Sequence, residues 1–168
     1  MTWTSTSVPY FAPPEPGQPD AWTAAGGKQR LLSVGVVDAS PEVREALRLP
    51  EGARVVRRSR LIIEHDEPME VATSYWPAEW AQGTALAEER AVKGGTIALV
   101  AELGWTAVRA LEEATAVRAE DVDLPEAPVA AALFVLRRTL VNSEGVPFEY
   151  IEMHRWDGTP QRYVLEAS

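Results

Sequence analysis

The run Val55-Val-Arg-Arg-Ser-Arg-Leu-Ile-Ile-Glu64 constrains this chain more than any other, because β-branched and aliphatic residues crowd a segment with no helical stripe. It must be extended. A second extended run, Met69 to Trp76, follows the turn-rich connection His65-Asp-Glu-Pro68 and stops at Pro77, which is the pattern of a hairpin. Side chains two apart on a strand share a face, so Arg58 and Arg60 lie together between Val56 and Ile62. Two guanidiniums among groups that favour burial require an anionic partner. A carboxylate or phosphate ligand suits their bidentate geometry; the alternatives are an internal salt bridge to a glutamate, or an edge strand with solvated arginines.

The remaining elements follow from local signals. Residues 1–30 carry Pro9, Pro13, Pro14, Pro16 and Pro19, with Gly17, Gly26 and Gly27, which excludes a long helix or a central strand. This arm also holds Trp3, Tyr10, Phe11 and Trp22, and it is expected to pack on the domain or on a second subunit. Leu31 to Val37 reads as a strand, and Ser40-Pro-Glu-Val-Arg-Glu-Ala-Leu47 as a short helix with serine at the N-cap and proline at N1. An irregular, partly helical link from Ala78 to Lys93 precedes Gly94-Gly95 and the helix Thr96 to Leu103, closed by Gly104. Trp105 to Arg118 has helical propensity but precedes another extended pair, and it is assigned to a strand. Val129 to Val141 and Pro147 to Trp156 form a second hairpin around Asn142-Ser-Glu-Gly145, and a last strand lies near Arg162 to Glu166.

With 168 residues the chain suits one domain, here 31–168 behind the arm. Absence of cysteine excludes disulfides and thiolate metal sites, two isolated histidines argue against a His-based one, and no cofactor is implied. No leader or long apolar run is present, so a cytoplasmic protein without membrane contact is expected. A net charge of -9 without a basic cluster argues against direct nucleic-acid binding by this chain alone.

The halves echo each other. Leu49-Pro-Glu-Gly-Ala-Arg-Val55, then Arg57-Arg58-Ser59 and Pro68-Met-Glu70, is matched by Leu124-Pro-Glu-Ala-Pro-Val129, then Arg137-Arg138-Thr139 and Pro147-Phe-Glu149. Two related helix-plus-hairpin units imply an α+β fold, with a mostly antiparallel sheet, a pseudo-twofold and helices on one side.

The succession Pro41-Glu-Val-Arg-Glu-Ala-Leu47, Arg58-Ser-Arg60, Asp66-Glu-Pro68, Ser74-Tyr-Trp-Pro77, Gly95-Thr96, Leu103-Gly104, Arg138-Thr139, Glu144-Gly145, Pro147 and Glu149 resembles the UTRA domain. UTRA is the effector-sensing half of HutC-type GntR transcription regulators, and the likeness runs from about Leu32 to Glu166. The resemblance implies the chorismate lyase-like fold, a central antiparallel sheet with helices around it, enclosing a small-molecule pocket. It also implies a homodimer. Residues 1–31 lack the three helices and basic surface of a helix-turn-helix domain, so the chain reads as a stand-alone sensor or a fragment.

On this resemblance Arg58 and Arg60 grip a small anionic metabolite, the Gly95-Thr96-Ile97 helix start faces them, and Glu149 accepts hydrogen bonds across the pocket. Where many relatives carry an acid after the first hairpin turn, this chain has Ala72, followed by Thr73 and Ser74; these two, with Tyr163, complete the expected effector-binding set. No residue is assigned to catalysis or to metal. Trp76, Trp80 and Trp105 read as core before pocket wall, and His65 and His154 as non-catalytic. Two further readings stand beside this one. One is a chorismate lyase-like enzyme using the Arg and Glu pair, and the other is a degenerate pocket in a partner-binding dimer docked through the arm.

Overall fold

The computed structural model describes residues 2–5, 7–129 and 131–166. The strands are β1 (Thr2–Ser5), β2 (Lys28–Asp38), β3 (Arg54–Glu64), β4 (Glu67–Pro77), β5 (Arg109–Arg118), β6 (Ala132–Val141), β7 (Pro147–Arg155) and β8 (Tyr163–Glu166). The helices are α1 (Ala21–Ala24), α2 (Pro41–Leu47), α3 (Ala78–Ala81) and α4 (Thr96–Glu102). Six strands form an antiparallel sheet in the order β2-β3-β4-β7-β6-β5, and β1 pairs separately with β8. The order is symmetric about the β4/β7 seam, so strand, short helical link and hairpin recur on either side, as the repeated motifs predict.

The turns explain the hairpins. His65 and Asp66 both adopt positive φ, the two-residue geometry that matches strand twist, and Glu64 pairs with Glu67 across it. In the second hairpin Asn142 Oδ1 accepts from the amides of Glu144 and Val146, and Gly145 takes a φ of 79°. Segment 109–118 is a strand despite its Ala and Glu content, because ten residues pair with β6 and outweigh propensity. The residues before it, from Trp105, stay outside the strand.

Helices lie on both sheet faces, and not on one side as the repeat implied. On one, α2 buries Val43 and Leu47 against Val55 and Tyr150, its Ser40 N-cap accepting from the Val43 amide. Glu42 of the same helix accepts from the Tyr150 hydroxyl and pairs with Arg137. On the other face, α3, α4 and the adjoining loops cover one end, where Val56, Trp76, Leu86, Val100, Leu140 and Phe148 form the largest core cluster. Trp80 and Trp105 stack there at 5.1 Å, so all three tryptophans weighed as pocket walls belong to the core. A second cluster, Ile62, Met69, Ala72, Leu136 and Met153 under Trp22, occupies the opposite end of that face.

The arm packs on this face. Tyr10 and Trp22 meet at 6.4 Å, and Phe11 lies 5.5 Å from the Arg138 guanidinium carbon; the Trp3 side chain lies outside the described residues, as does Ala130 before β6. β2 starts at Lys28, inside the bound expected for the arm.

Candidate functional site

Between the two clusters lies a cavity of about 710 Å³, a size suited to a small metabolite. Its floor is the sheet, with Arg60 and Ile62 from β3, Glu70 and Ala72 from β4, Glu149, Ile151, Met153 and Arg155 from β7, and Leu136 and Arg138 from β6. The period of two puts all of these on one face. Its wall comes from the arm through Tyr10, Asp20 and Trp22, and from Gly95, Thr96 and Ile97 at the start of α4. One end, around Arg60, Thr96 and Glu149, is charged; the other sets the Arg155–Glu70 pair among apolar Trp22, Ile62 and Met153.

Arg60 is the centre of the charged end. It is 8% exposed, and its guanidinium donates to Thr96 Oγ1 at 3.3 Å and to Ser74 Oγ at 2.8 Å. Its Nε has no partner. Among the described residues no carboxylate reaches ion-pair distance of it, although Glu149, Glu70 and Asp20 are near enough to favour its charge against the stronger effect of burial, which lowers its pKa. A buried guanidinium bound directly only to neutral hydroxyls is under-compensated.

The other charged groups are differently provided for. Arg138 is paired with Glu112 of β5 at 2.8 Å, and Arg155 with Glu70 at 2.9 Å. Burial raises the Glu70 pKa, an effect opposed chiefly by Arg155. Burial likewise pushes Glu149 above the usual carboxylate range, opposed first by Arg60. The Ser74 hydroxyl and the Trp76 indole N–H face this carboxylate, yet Trp76 Nε1 and Glu149 Oε2 both lack hydrogen-bond partners. Unpaired buried polar atoms of this kind are uncommon and point to a missing partner.

The register gives the pseudo-twofold a sharper form than the motifs did. Arg60 pairs with Ala72, two residues beyond Glu70, and Arg138 pairs with Ile151, two beyond Glu149. Arg60, rather than Arg58, is therefore the counterpart of Arg138. The edge strands break the symmetry, because Glu112 lies opposite Arg138 while Leu31 lies opposite Arg60. One arginine has a neighbouring carboxylate on the sheet; the other has leucine.

Of the residues expected in the site, Arg60, Gly95, Thr96, Ile97 and Glu149 converge on the cavity. Arg58 does not line it. Its guanidinium donates to the carbonyls of Leu86, Glu88 and Arg90, clamping the loop after α3, so neutral backbone oxygens stand where an anion was expected. Thr73 points to the opposite face and bonds Ser59 at 3.0 Å, as its odd position on β4 requires. Ser74 is fully buried behind the cavity as a support for Arg60, and Tyr163 stands on β8, half exposed, beside Glu112. With only seven residues, α4 adds little macrodipole; its contribution is the Thr96 hydroxyl. Asp20, Trp22, Glu70, Arg138 and Arg155 were not in the expected set. Shared strand parity with Arg60 and Glu149, and the repeat, were the signal for the last three. Nothing in sequence spacing places Asp20.

A six-stranded antiparallel sheet that keeps a charged hollow under an N-terminal strap is a small-molecule-binding architecture. The UTRA domain model matches residues 26–157, and the chain belongs to the UTRA family, the effector-binding domain of GntR-family regulators. An HTH-type transcriptional regulator from Streptomyces coelicolor is 32% identical over 127 residues, covering 73% of this chain and 47% of that protein. The chain thus spans about half the length of the curated relative it matches. Among solved structures, the ligand-binding domain of a GntR-family regulator from Bordetella bronchiseptica aligns with TM-score 0.67 and 23% identity over 94% of this chain and 95% of its own. The effector domain of PhnF from Mycobacterium smegmatis aligns with TM-score 0.69 and 19% identity over 87% of this chain and 92% of its own. No helix among the described residues is long and apolar enough to cross a membrane.

Proposed function

We propose that this chain is the sensing part of a cytoplasmic HutC-type transcription regulator, and that it binds a small anionic metabolite, a carboxylate or a phosphate ester, without turning it over. The observation that carries this reading is Arg60, a buried cation in a cavity wall with two neutral partners and one unpartnered donor. The anion pairs with Arg60 and takes the Thr96 hydroxyl, while Glu149 receives a hydroxyl or amine donor of the same ligand at its unpartnered oxygen. The apolar patch of Ile62 and Met153 on the sheet holds the ligand's body. The protein works as a homodimer, and DNA reading belongs to the portion of its relatives that this chain does not span.

The test is calorimetric titration of the protein and of Arg60→Gln with inorganic phosphate and a set of small carboxylates. Loss of a charge-assisted contact of about 2 kcal/mol weakens binding by roughly thirtyfold. Equal affinity in the two proteins, or a preference for neutral ligands, refutes the assignment. Light scattering on the same samples checks the dimer.

A further inference from the structure

The arm does more than roof the cavity, because it carries a carboxylate into the hollow that Arg60 faces, near enough to favour its charge and short of an ion pair. Asp20 is 4% exposed and lines the charged end. Its backbone N–H donates to Gly94 O at 2.8 Å, and its Oδ1 accepts from the Thr23 amide at 2.9 Å, which caps α1. The carboxylate lies directly on the Gly95 backbone, where a Cβ would fall 1.8 Å from Oδ2, and Gly95 holds a φ of 96°. Only glycine fits there. A second close approach fixes the neighbouring indole, since a Cβ on Gly27 would meet the Trp22 ring at 2.2 Å. The chain has thus given up side chains at two positions to seat Asp20 and Trp22.

We propose that Asp20 is an internal competitor for the effector's anionic group, and that an effector binding at Arg60 displaces the segment from Pro19 to Thr23. This rests on the reading that the cavity takes an anion. Exchange in place of addition follows from position: Asp20 lies on the Gly95 backbone beside Thr96, so an anion held by Arg60 and the Thr96 hydroxyl would stand against its carboxylate and be repelled by it. Exchange removes that repulsion and returns the Asp20 carboxylate to water. The segment is weakly held, since α1 has four residues and cannot persist without its cap and its contacts. Leu31 stands opposite Arg60 where Glu112 stands opposite Arg138, so the edge strand brings no carboxylate to Arg60, and Asp20 enters the hollow from the detachable arm.

The experiment follows hydrogen exchange by mass spectrometry in the wild type, Asp20→Asn and Asp20→Gly, each titrated with inorganic phosphate. Asparagine and glycine both retain N-cap capacity, one removing only charge and the other also vacating the space. In the wild type, phosphate should protect residues 94–98 while speeding exchange in 18–26. Both variants should exchange rapidly in 18–26 before any addition and should bind phosphate roughly tenfold more tightly, or better. Protection of 94–98 with equal affinity in all three proteins, and an unmoved arm, overturns the competitor role while leaving the anion site standing. Absence of protection in every protein overturns the anion site and this proposal with it.

Discussion

Replacing Arg58 by methionine separates a structural arginine from a ligand arginine. Arg58 is 3% exposed and donates to three carbonyls, those of Leu86 at 3.3 Å, Glu88 at 2.9 Å and Arg90. Each charge-assisted bond contributes about 1.5 to 3 kcal/mol, but the side chains of Glu88 and Arg90 are exposed and their carbonyls can regain water. The change also relieves burial of a charge and repulsion from Arg60, the two causes that lower the Arg58 pKa. The net loss should be about 3 kcal/mol, a large part of a typical domain's stability. For a chain of 168 residues that corresponds to a fall in Tm of roughly 6 to 12 °C. Urea unfolding with the m-value checked gives the stability loss, and phosphate titration of the folded variant gives its anion affinity. A variant within about 1 kcal/mol of wild type that loses anion affinity tenfold would return Arg58 to the ligand site and refute the clamp.

Glu149→Gln tests the buried acid. A carboxyl whose folded pKa is raised favours folding fully below its unfolded value near 4.5, and this contribution is lost as pH rises through the folded value. The variant should therefore gain stability over wild type as pH climbs from about 4 to 8 in thermal melts, and a flat difference contradicts the assignment. Met153→Ala should leave inorganic phosphate affinity unchanged while weakening benzoate by roughly tenfold, because a sulfur–aromatic contact of about 1.5 kcal/mol is lost from the cavity floor. Parallel losses for both probes would show that Met153 acts on the charged end. Leu31→Glu should copy the Glu112–Arg138 arrangement onto Arg60, lowering phosphate affinity by roughly tenfold and speeding exchange in the arm. Unchanged affinity would mean that Arg60 is not the anion's partner.

Much of the fold was readable because the punctuation is local. The His65-Asp66 and Asn142-to-Gly145 turns, the Ser40 cap and the repeated Pro-x-Glu fix both hairpins and their symmetry. The site was readable only in part. Strand parity puts Arg58 and Arg60 on one face, but a loop 28 to 32 residues away covers the first and leaves the second facing the cavity. Such a long-range contact has no local signature. Thr73 is a different kind of error, since neighbours on a strand point oppositely and Thr73 could not share a site with Ser74. Asp20 was hidden because Pro and Gly determine where the arm cannot be regular, and say nothing of where it goes.

The asymmetry between the halves is what turns a duplicated scaffold into a candidate sensor. Each half places an arginine across from the residue two beyond a buried glutamate, so a perfect repeat would hold two self-contained ion pairs and bind nothing. In the second half, Glu112 satisfies Arg138 from the edge strand. In the first, Leu31 withholds that charge, Arg155 from the other half takes Glu70, and Arg60 is left to hydroxyls with Glu149 nearby. Burial makes this deficit costly, and a deficit that a mobile charge can fill is the condition for a switch. Two anions can then contend for the space beside one guanidinium, one covalently attached through the arm and one arriving from solution. The outcome depends on ligand concentration, because the arm's effective concentration is fixed by its attachment.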